Sequence, residues 1–233
     1  MTGVMTNMEG HMDPRSNFYR HRGKRIFDVL VASVALLVLS PLLGLIALVV
    51  RIALGSPVLF RQARGGLHQR PFHILKFRSM TDGRDPAGEP LPDNARITRL
   101  GRFLRATSLD ELPGLLNVLN GEMSLVGPRP LYTRYEQWYA MEELRRFDVL
   151  PGITGWAQIS GRNSLCWDDR FRHDLHYVDN CSLKLDVQVL VLTVGKVLRR
   201  EDVHVEAGVT VPALDEERRR SRRPVGARAN VNL

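Results

Sequence analysis

Residues 107–119 read TSLDELPGLLNVL, and within them Asp110 and Glu111 stand side by side just ahead of Pro113 and an apolar helical pattern. The stretches around them in the chain are basic: Lys76 and Arg78 in HILKFRSM, Arg102 and Arg105 shortly before the acids, and Arg129 in MSLVGPRP. A carboxylate among cations can attack a phosphorus centre, forming an acyl phosphate and dividing one transfer into two steps. A divalent metal there would neutralise a diphosphate and hold the acids in register. Arginine suits bidentate phosphate contact and lysine serves as a point charge. Taken singly, each cation is an ordinary surface residue. Their gathering around an acidic pair is the informative feature.

The acids admit two local structures. In one, Ser108 is an N-cap and Glu111, three residues on, closes a capping box. That helix would carry Pro113 at its fifth position and lose a regular hydrogen bond. In the other, a turn holds both acids and the helix starts near Leu112. Adjacent helical residues do not share a face.

Residues 29–50 (VLVASVALLVLSPLLGLIALVV) carry no charge, and as a helix they would reach about 33 Å, enough to cross a bilayer core. Arg51 follows directly and Pro41 divides the run, which does not fit a cleaved signal peptide. Arg20, Arg22, Lys24 and Arg25 precede the segment and Arg51, Arg61, Arg64 and Arg70 follow it, so both flanks carry the positive signature of a cytoplasmic loop. Pro41 removes a backbone donor, Gly44 adds freedom, and Ser40 is placed to satisfy a freed carbonyl. These features predict a re-entrant hairpin broken at Ser40 and Pro41, with a kinked spanning helix as the alternative.

Beyond the anchor, residues 58–80 alternate around Gly65 and Gly66 and predict a short β-hairpin. Residues 81–94 (TDGRDPAGEPLPDN) read as a loop. Helical patterns follow at 97–105, 112–119 and 131–147. Residues 151–161 (PGITGWAQISG) are a glycine-punctuated loop or short strand, 168–179 a helix, and 187–198 an apolar run that fits helix or strand. Tyr132, Tyr135, Trp138 and Tyr139 lie along one helical pattern, as an interfacial belt or as core packing. Residues 1–18 show no periodicity and read as a disordered leader, and residues 204–233 as a basic, mobile tail. Cys166 and Cys181 are far apart, with no histidine pair near them, so they read as free thiols rather than a zinc site. With 33 Lys and Arg against 25 Asp and Glu, the net charge is +8, which favours phosphates, nucleic acid or an anionic membrane face as partners.

The order KRIFD, a Ser-Pro-broken apolar segment, KFRSM, TSLDELPGLLNVL, GEMSLVGPRP, PGITGWAQISGRN and HYVDN resembles the small monotopic phosphoglycosyl transferases of the bacterial sugar transferase family, from about Lys24 to Arg200. The resemblance implies a mainly α fold with small β content. It has an N-terminal re-entrant helix-break-helix anchor (19–54), interfacial helices and a compact cytoplasmic catalytic domain (55–203). It also implies transfer of a sugar 1-phosphate from a UDP-sugar to a polyprenyl phosphate such as undecaprenyl phosphate, through a covalent phosphosugar on Asp110, with UMP released and Mg2+ as cofactor. By the same matching Glu111 handles metal or proton, and Lys76, Arg105 and Arg129 contact phosphates. Arg78 joins them as a basic candidate, and Arg162 of the Gly161-Arg162-Asn163 loop ranks below them. Ser40 and Pro41 match the family's helix break, which keeps both chain ends on the cytoplasmic face of the bacterial inner membrane. The expected role is the first membrane step of exopolysaccharide, capsule or glycoconjugate synthesis. Expected partners are the two substrates and membrane lipid, not nucleic acid, and a homodimer is compatible with the sequence. Departures at Cys166, Cys181 and the basic Arg172-His173 bear on sugar specificity and local packing rather than on the reaction.

A membrane-tethered binding protein without catalysis would use the same positive charge. It leaves the acids among cations unexplained, and no recognition-helix or zinc-finger pattern appears. A polytopic prenyl phosphate transferase would need many apolar runs, where this chain has one long one.

Overall fold

A computed structural model of the protein describes residues 18–161, 165–199 and 212–222. Its longest element is α1 (Lys24–Leu54), which continues a π-helical turn at Tyr19–Gly23. Among the described residues it is the one helix long and apolar enough to cross a membrane, by length and composition. Gly55 ends it, at φ 76°, with its N–H returned to the Arg51 carbonyl at 3.1 Å. The expected helix-break-helix is a single helix here: Lys24–Leu54 stays helical through Ser40 and Pro41. Pro41 supplies no N–H to the Leu37 carbonyl one turn back, and the Ser40 hydroxyl donates to that carbonyl at 2.8 Å. One orphaned acceptor with a donor at hand is too small a loss to unwind the chain.

Both ends of α1 pack on the rest of the protein. At the start, Lys24 Nζ and the Tyr19 hydroxyl both lie 2.6 Å from Asp186 Oδ2, and Asp28 accepts from the Leu125 N–H at 3.1 Å. Near the end, Ile46 and Val50 are buried with Phe77 and Leu104, a burial worth roughly 1.5–3 kcal/mol for each large apolar side chain. Between these anchorages the outward face is bare, with Val34, Leu37 and Val38 all more than 60% exposed.

The predicted hairpin forms from β1 (Leu59–Gly65) and β2 (Pro71–Phe77), antiparallel with Phe60 opposite Lys76 and Arg64 opposite Phe72. After the loop and a single turn, α2 (Asp93–Arg96), come α3 (Arg99–Ala106), the acid turn, and α4 (Gly114–Asn120). Then β3 (Ser124–Val126) pairs in parallel with β4 (Gly152–Thr154), followed by α5 (Trp156–Ser160), α6 (Trp167–Asn180) and α7 (Leu183–Arg199). The ambiguous run at 187–198 is therefore helix. The main core gathers β2, α4, β3, α6 and α7 against the first half of α1, through Ile74, Val118, Val126, Tyr177, Val189 and Ala32.

Two stretches differ from expectation. Residues 131–147 hold 3-10 helices at Thr133–Trp138 and Glu142–Asp148 instead of one α-helix. Here the aromatic side chains meet edge to face, Tyr132 on Tyr135 and Tyr135 on Trp167, each with centroids 5.6 Å apart. Tyr135 is buried with Trp167, Phe171 and Leu214, and Trp138 and Tyr139 pack against that cluster, so core packing rather than an interfacial belt accounts for these rings. The second stretch is the supposed tail, in which α8 (Leu214–Arg222) is helical. Leu214 is buried in the same aromatic cluster and Arg218 pairs with Glu143 at 2.6 Å. Strong charge concealed one apolar anchor. Cys166 and Cys181 are both free thiols.

Candidate active site

Asp110 and Glu111 lie in a 3-10 turn, Leu109–Glu111, between α3 and α4. Ser108, at φ 56°, turns the chain into it and makes no side-chain cap, so the capping box is not formed and the turn reading holds. Pro113 stands at the N-cap of α4, where its missing N–H costs nothing.

The cations arrive from two directions. Lys76 comes from β2, and its Nζ lies 2.6 Å from Glu111 Oε1. Arg129 follows β3 across Gly127 and Pro128, and its guanidinium meets the same oxygen at 2.8 Å. The Gly127 turn lies so close to β4 that a Cβ built on Gly152 would fall 2.1 Å from the Gly127 nitrogen; a side chain at either glycine would displace Arg129. Behind it, Arg146 donates to the Arg129 carbonyl at 2.7 Å and pairs with buried Asp174 at 2.9 Å. Arg105 reaches Ser79 Oγ at 3.0 Å. It can do so because Gly101 lets α3 lie on the Ser79 backbone, where a Cβ would come within 1.8 Å of the carbonyl oxygen.

The two acids are electrostatically unlike. Asp110 is buried, and its pKa is pushed up to about 6, first by burial and then by the charge of Glu111, against the pull of Lys76, Arg105 and Arg129. Burial raises Glu111 as well, but the charges and hydrogen bonds of Arg129 and Lys76 outweigh it and hold this carboxyl far below the usual range. Adjacent carboxylates driven apart in this way take different roles. Glu111 is a fixed anion that orients two cations, while Asp110 makes no ion pair among the described residues.

The structure brings Asp110, Glu111, Lys76, Arg105 and Arg129 together and leaves Arg78 aside. Arg78 donates to the Ser56 and Met80 carbonyls and pairs with Asp82 at 3.2 Å, which ties the hairpin exit to the segment just after α1. Arg162 lies outside the described residues. Arg64, which the sequence offered only as a basic flank, lines the same pocket as Lys76, Glu111 and Arg129. Its guanidinium sits 3.6 Å above the Tyr132 ring, and its Nε is buried without a hydrogen-bond partner among the described residues. Hairpin register is the signal that would have found it, because residues 60, 62 and 64 share a face with 72, 74 and 76.

The profile of the bacterial sugar transferase family matches residues 19–200, taking in α1, the acid turn and each of these cations. The chain belongs to that family. This sugar transferase is 51% identical over 187 residues to the uncharacterized sugar transferase EpsL of Bacillus subtilis, a match covering 80% of the chain and 93% of the relative. It is 41% identical over 192 residues to the UDP-glucose:undecaprenyl-phosphate glucose-1-phosphate transferase of Caulobacter vibrioides, covering 78% and 72%. An Escherichia coli transferase with the same activity name is 41% identical over 183 residues, 74% of this chain and 39% of that longer protein.

Proposed function

We propose that this sugar transferase moves a sugar 1-phosphate from a UDP-sugar to a polyprenyl phosphate, with Asp110 as the covalent carrier, in exopolysaccharide or related glycan synthesis. One observation carries the reading: Glu111 commits its charge to Lys76 and Arg129, while the buried carboxyl beside it takes no part in those ion pairs. A carboxylate left out of the ion pairs, beside a pocket whose cations suit a diphosphate, is the one to attack phosphorus. The relatives named for UDP-glucose and undecaprenyl phosphate support the choice of donor and acceptor.

In the first step an Asp110 oxygen attacks the sugar-bearing phosphorus of the donor. The P–O bond to UMP breaks, and UMP leaves with the electron pair. In the second, an oxygen of the prenyl phosphate dianion attacks the same phosphorus, the aspartyl P–O bond breaks, and the carboxylate is restored. No redox partner is needed, and charge balances in both steps. Lys76, Arg129 and Arg64 bind and neutralise the donor phosphates, and Arg105 lowers the cost of ionising Asp110 from the other side.

Magnesium fits the donor set on chemical grounds. Among the described residues no cluster of three or more metal-ligating side chains forms, but Mg2+ is commonly held by one or two carboxylates together with substrate phosphates. Both ion pairs on Glu111 use Oε1, so Asp110 and Glu111 Oε2 are the oxygens that would hold the ion. Bound there, it would neutralise the diphosphate and ease the departure of UMP.

We place the catalytic body on the cytoplasmic face of the membrane and the middle of α1 in the lipid, without spanning it. Both ends of α1 pack on one protein body, while its middle is apolar and exposed. The basic flanks point the same way.

Asp110→Asn, in membranes given UDP-glucose and undecaprenyl phosphate, is expected to lose both UMP release and trapping of a labelled phosphosugar on the protein, while staying membrane-bound. Full turnover by that variant would overturn the covalent mechanism.

A further inference from the structure

Next to the cationic pocket lies a second cavity of about 250 Å³, which shares Glu111 and Ile153 with it as walls. Its floor is apolar, formed by Leu109, Leu112 and Leu115 with Ile153, Ile159 and Val197. Polar side chains line it as well: Thr107, Ser108, Thr154, Gln158, Thr193 and Lys196. Thr193 bonds to Thr154 at 2.7 Å, tying α7 to β4 across the cavity.

The wall from α7 explains why the cavity exists. Asp186 and Val189, on the inner face of that helix, are wholly buried. Thr193, Lys196 and Val197 continue the inner face toward the helix end, and there it lines open space instead of core. Round the same helix, Val187, Val191 and Val194 form an apolar stripe that is exposed, Val191 by 65% and Val194 by 58%. Val197 on this wall and Leu112 beside the acid turn give the cavity an apolar lining next to the acids. A hydrophilic nucleotide has no use for such a floor. A ligand with a hydrocarbon chain and an anionic head does, since the chain matches the floor and the head meets Lys196 beside the acids.

We propose that this cavity receives the isoprenoid phosphate acceptor, its first isoprene units on the Leu112, Ile153, Ile159 and Val197 surface and its phosphate turned past Lys196 toward Asp110. This rests on the reading of the protein as a polyprenyl phosphate transferase. It adds that the acceptor phosphate takes the place beside Asp110 that UMP vacates, while its hydrocarbon chain lies in the cavity under α7 and the donor phosphates rest on Arg64, Lys76 and Arg129. Attack by the acceptor oxygen on the phosphorus held at Asp110 breaks the aspartyl P–O bond and makes the new P–O–P linkage, with no further reactant.

The test separates the two substrates kinetically, with UDP-glucose and undecaprenyl phosphate in lipid nanodiscs. Val197→Trp fills the cavity, Lys196→Gln removes its cation and Lys196→Arg keeps it. The expected result is an acceptor KM raised about tenfold or more in V197W and K196Q, near wild type in K196R, and a donor KM changed by less than about twofold in all three. A benzophenone-bearing prenyl phosphate should crosslink to peptides containing Ile159 or Val197. Single-turnover UMP release without acceptor serves as the check that each variant is folded. An unchanged acceptor KM in V197W, a donor KM that rises in parallel, or crosslinks confined to other elements would overturn the assignment. If wild-type enzyme forms no phosphosugar adduct, the covalent step fails, while the steady-state KM values still decide the acceptor site.

Discussion

Asn117 is the side chain through which α4 holds the strand that carries Lys76. It is 1% exposed. Its Oδ1 accepts the Leu75 N–H at 2.9 Å, and its Nδ2 donates to the His73 carbonyl at 2.8 Å and to Glu122 at 2.7 Å. Leu75 and His73 present these groups on the edge of β2 that faces away from β1, so one amide side chain replaces a third strand. Asn117→Leu keeps the volume and removes every bond. It leaves a half-buried backbone donor and a half-buried backbone acceptor unpaired, each at about 1–3 kcal/mol, partly offset by the better burial of leucine. The net loss is about 2–4 kcal/mol, which for a domain of this size lowers Tm by roughly 5–15 °C. The assay is thermal unfolding of the detergent-solubilised protein followed by tryptophan fluorescence. UMP release well below the transition should also fall, because Lys76 sits one residue beyond Leu75. Asn117→Asp, which retains the acceptor but brings a second carboxylate next to Glu122, should be destabilised as well. A Tm shift under about 2 °C for Asn117→Leu would refute the idea that this amide secures the strand.

Arg64→Met is expected to reduce kcat/KM for UDP-glucose by about 10–100-fold, the worth of one charge-assisted phosphate contact, with little change in the acceptor KM; steady-state kinetics on both substrates checks this. Arg146→Met strands Asp174 as an unpaired buried carboxylate and should cost about 3–5 kcal/mol, read by thermal unfolding. Asp186→Ala takes the shared acceptor from Tyr19, Lys24 and Tyr177 and should destabilise by a similar amount, about 3–5 kcal/mol, with new protease cleavage near residue 24 on limited digestion. Glu111→Gln should lower turnover more than donor affinity, since Lys76 and Arg129 stay in the pocket but lose the anion that aims them; separate kcat and KM values decide.

Much of this organisation is legible in the chain. Glycine and alternation marked the β1–β2 hairpin, and apolar periodicity marked α3, α4 and α6 within a few residues of their ends. The acid pair and three of its cations were recognisable by residue type, because chemistry on phosphates needs charge wherever the chain goes. What could not be read was direction. Arg78 and Lys76 are two residues apart, yet one grips Glu111 and the other the Ser56 carbonyl, a choice made where the strand ends. Arg64 was hidden by the opposite problem, since its relation to Lys76 exists only once the hairpin register is set. Residues 131–147 have helical spacing but close on Trp167 and Phe171 of α6 and Leu214 of α8, so tertiary contacts chose the tighter 3-10 winding. In α8, Leu214 alone carries the apolar signal that its arginines outweigh in composition.

The way α1 is fastened has a consequence for how the protein is made. The helix contributes Ala32, Ile46 and Val50 to the interior at zero to 6% exposure, so a fragment beginning at residue 55 would be a domain with one wall missing rather than a soluble catalytic half. Lys24 also precedes its partner Asp186 by 162 residues. At ribosomal speeds of about 5–20 residues per second, that lysine emerges roughly 8–30 s before the aspartate that neutralises it. During that interval the nascent helix has lipid for its outer face and nothing for its inner one. With α1 in lipid as proposed above, insertion would come first, and the enzyme would assemble afterwards against a helix already held at the bilayer.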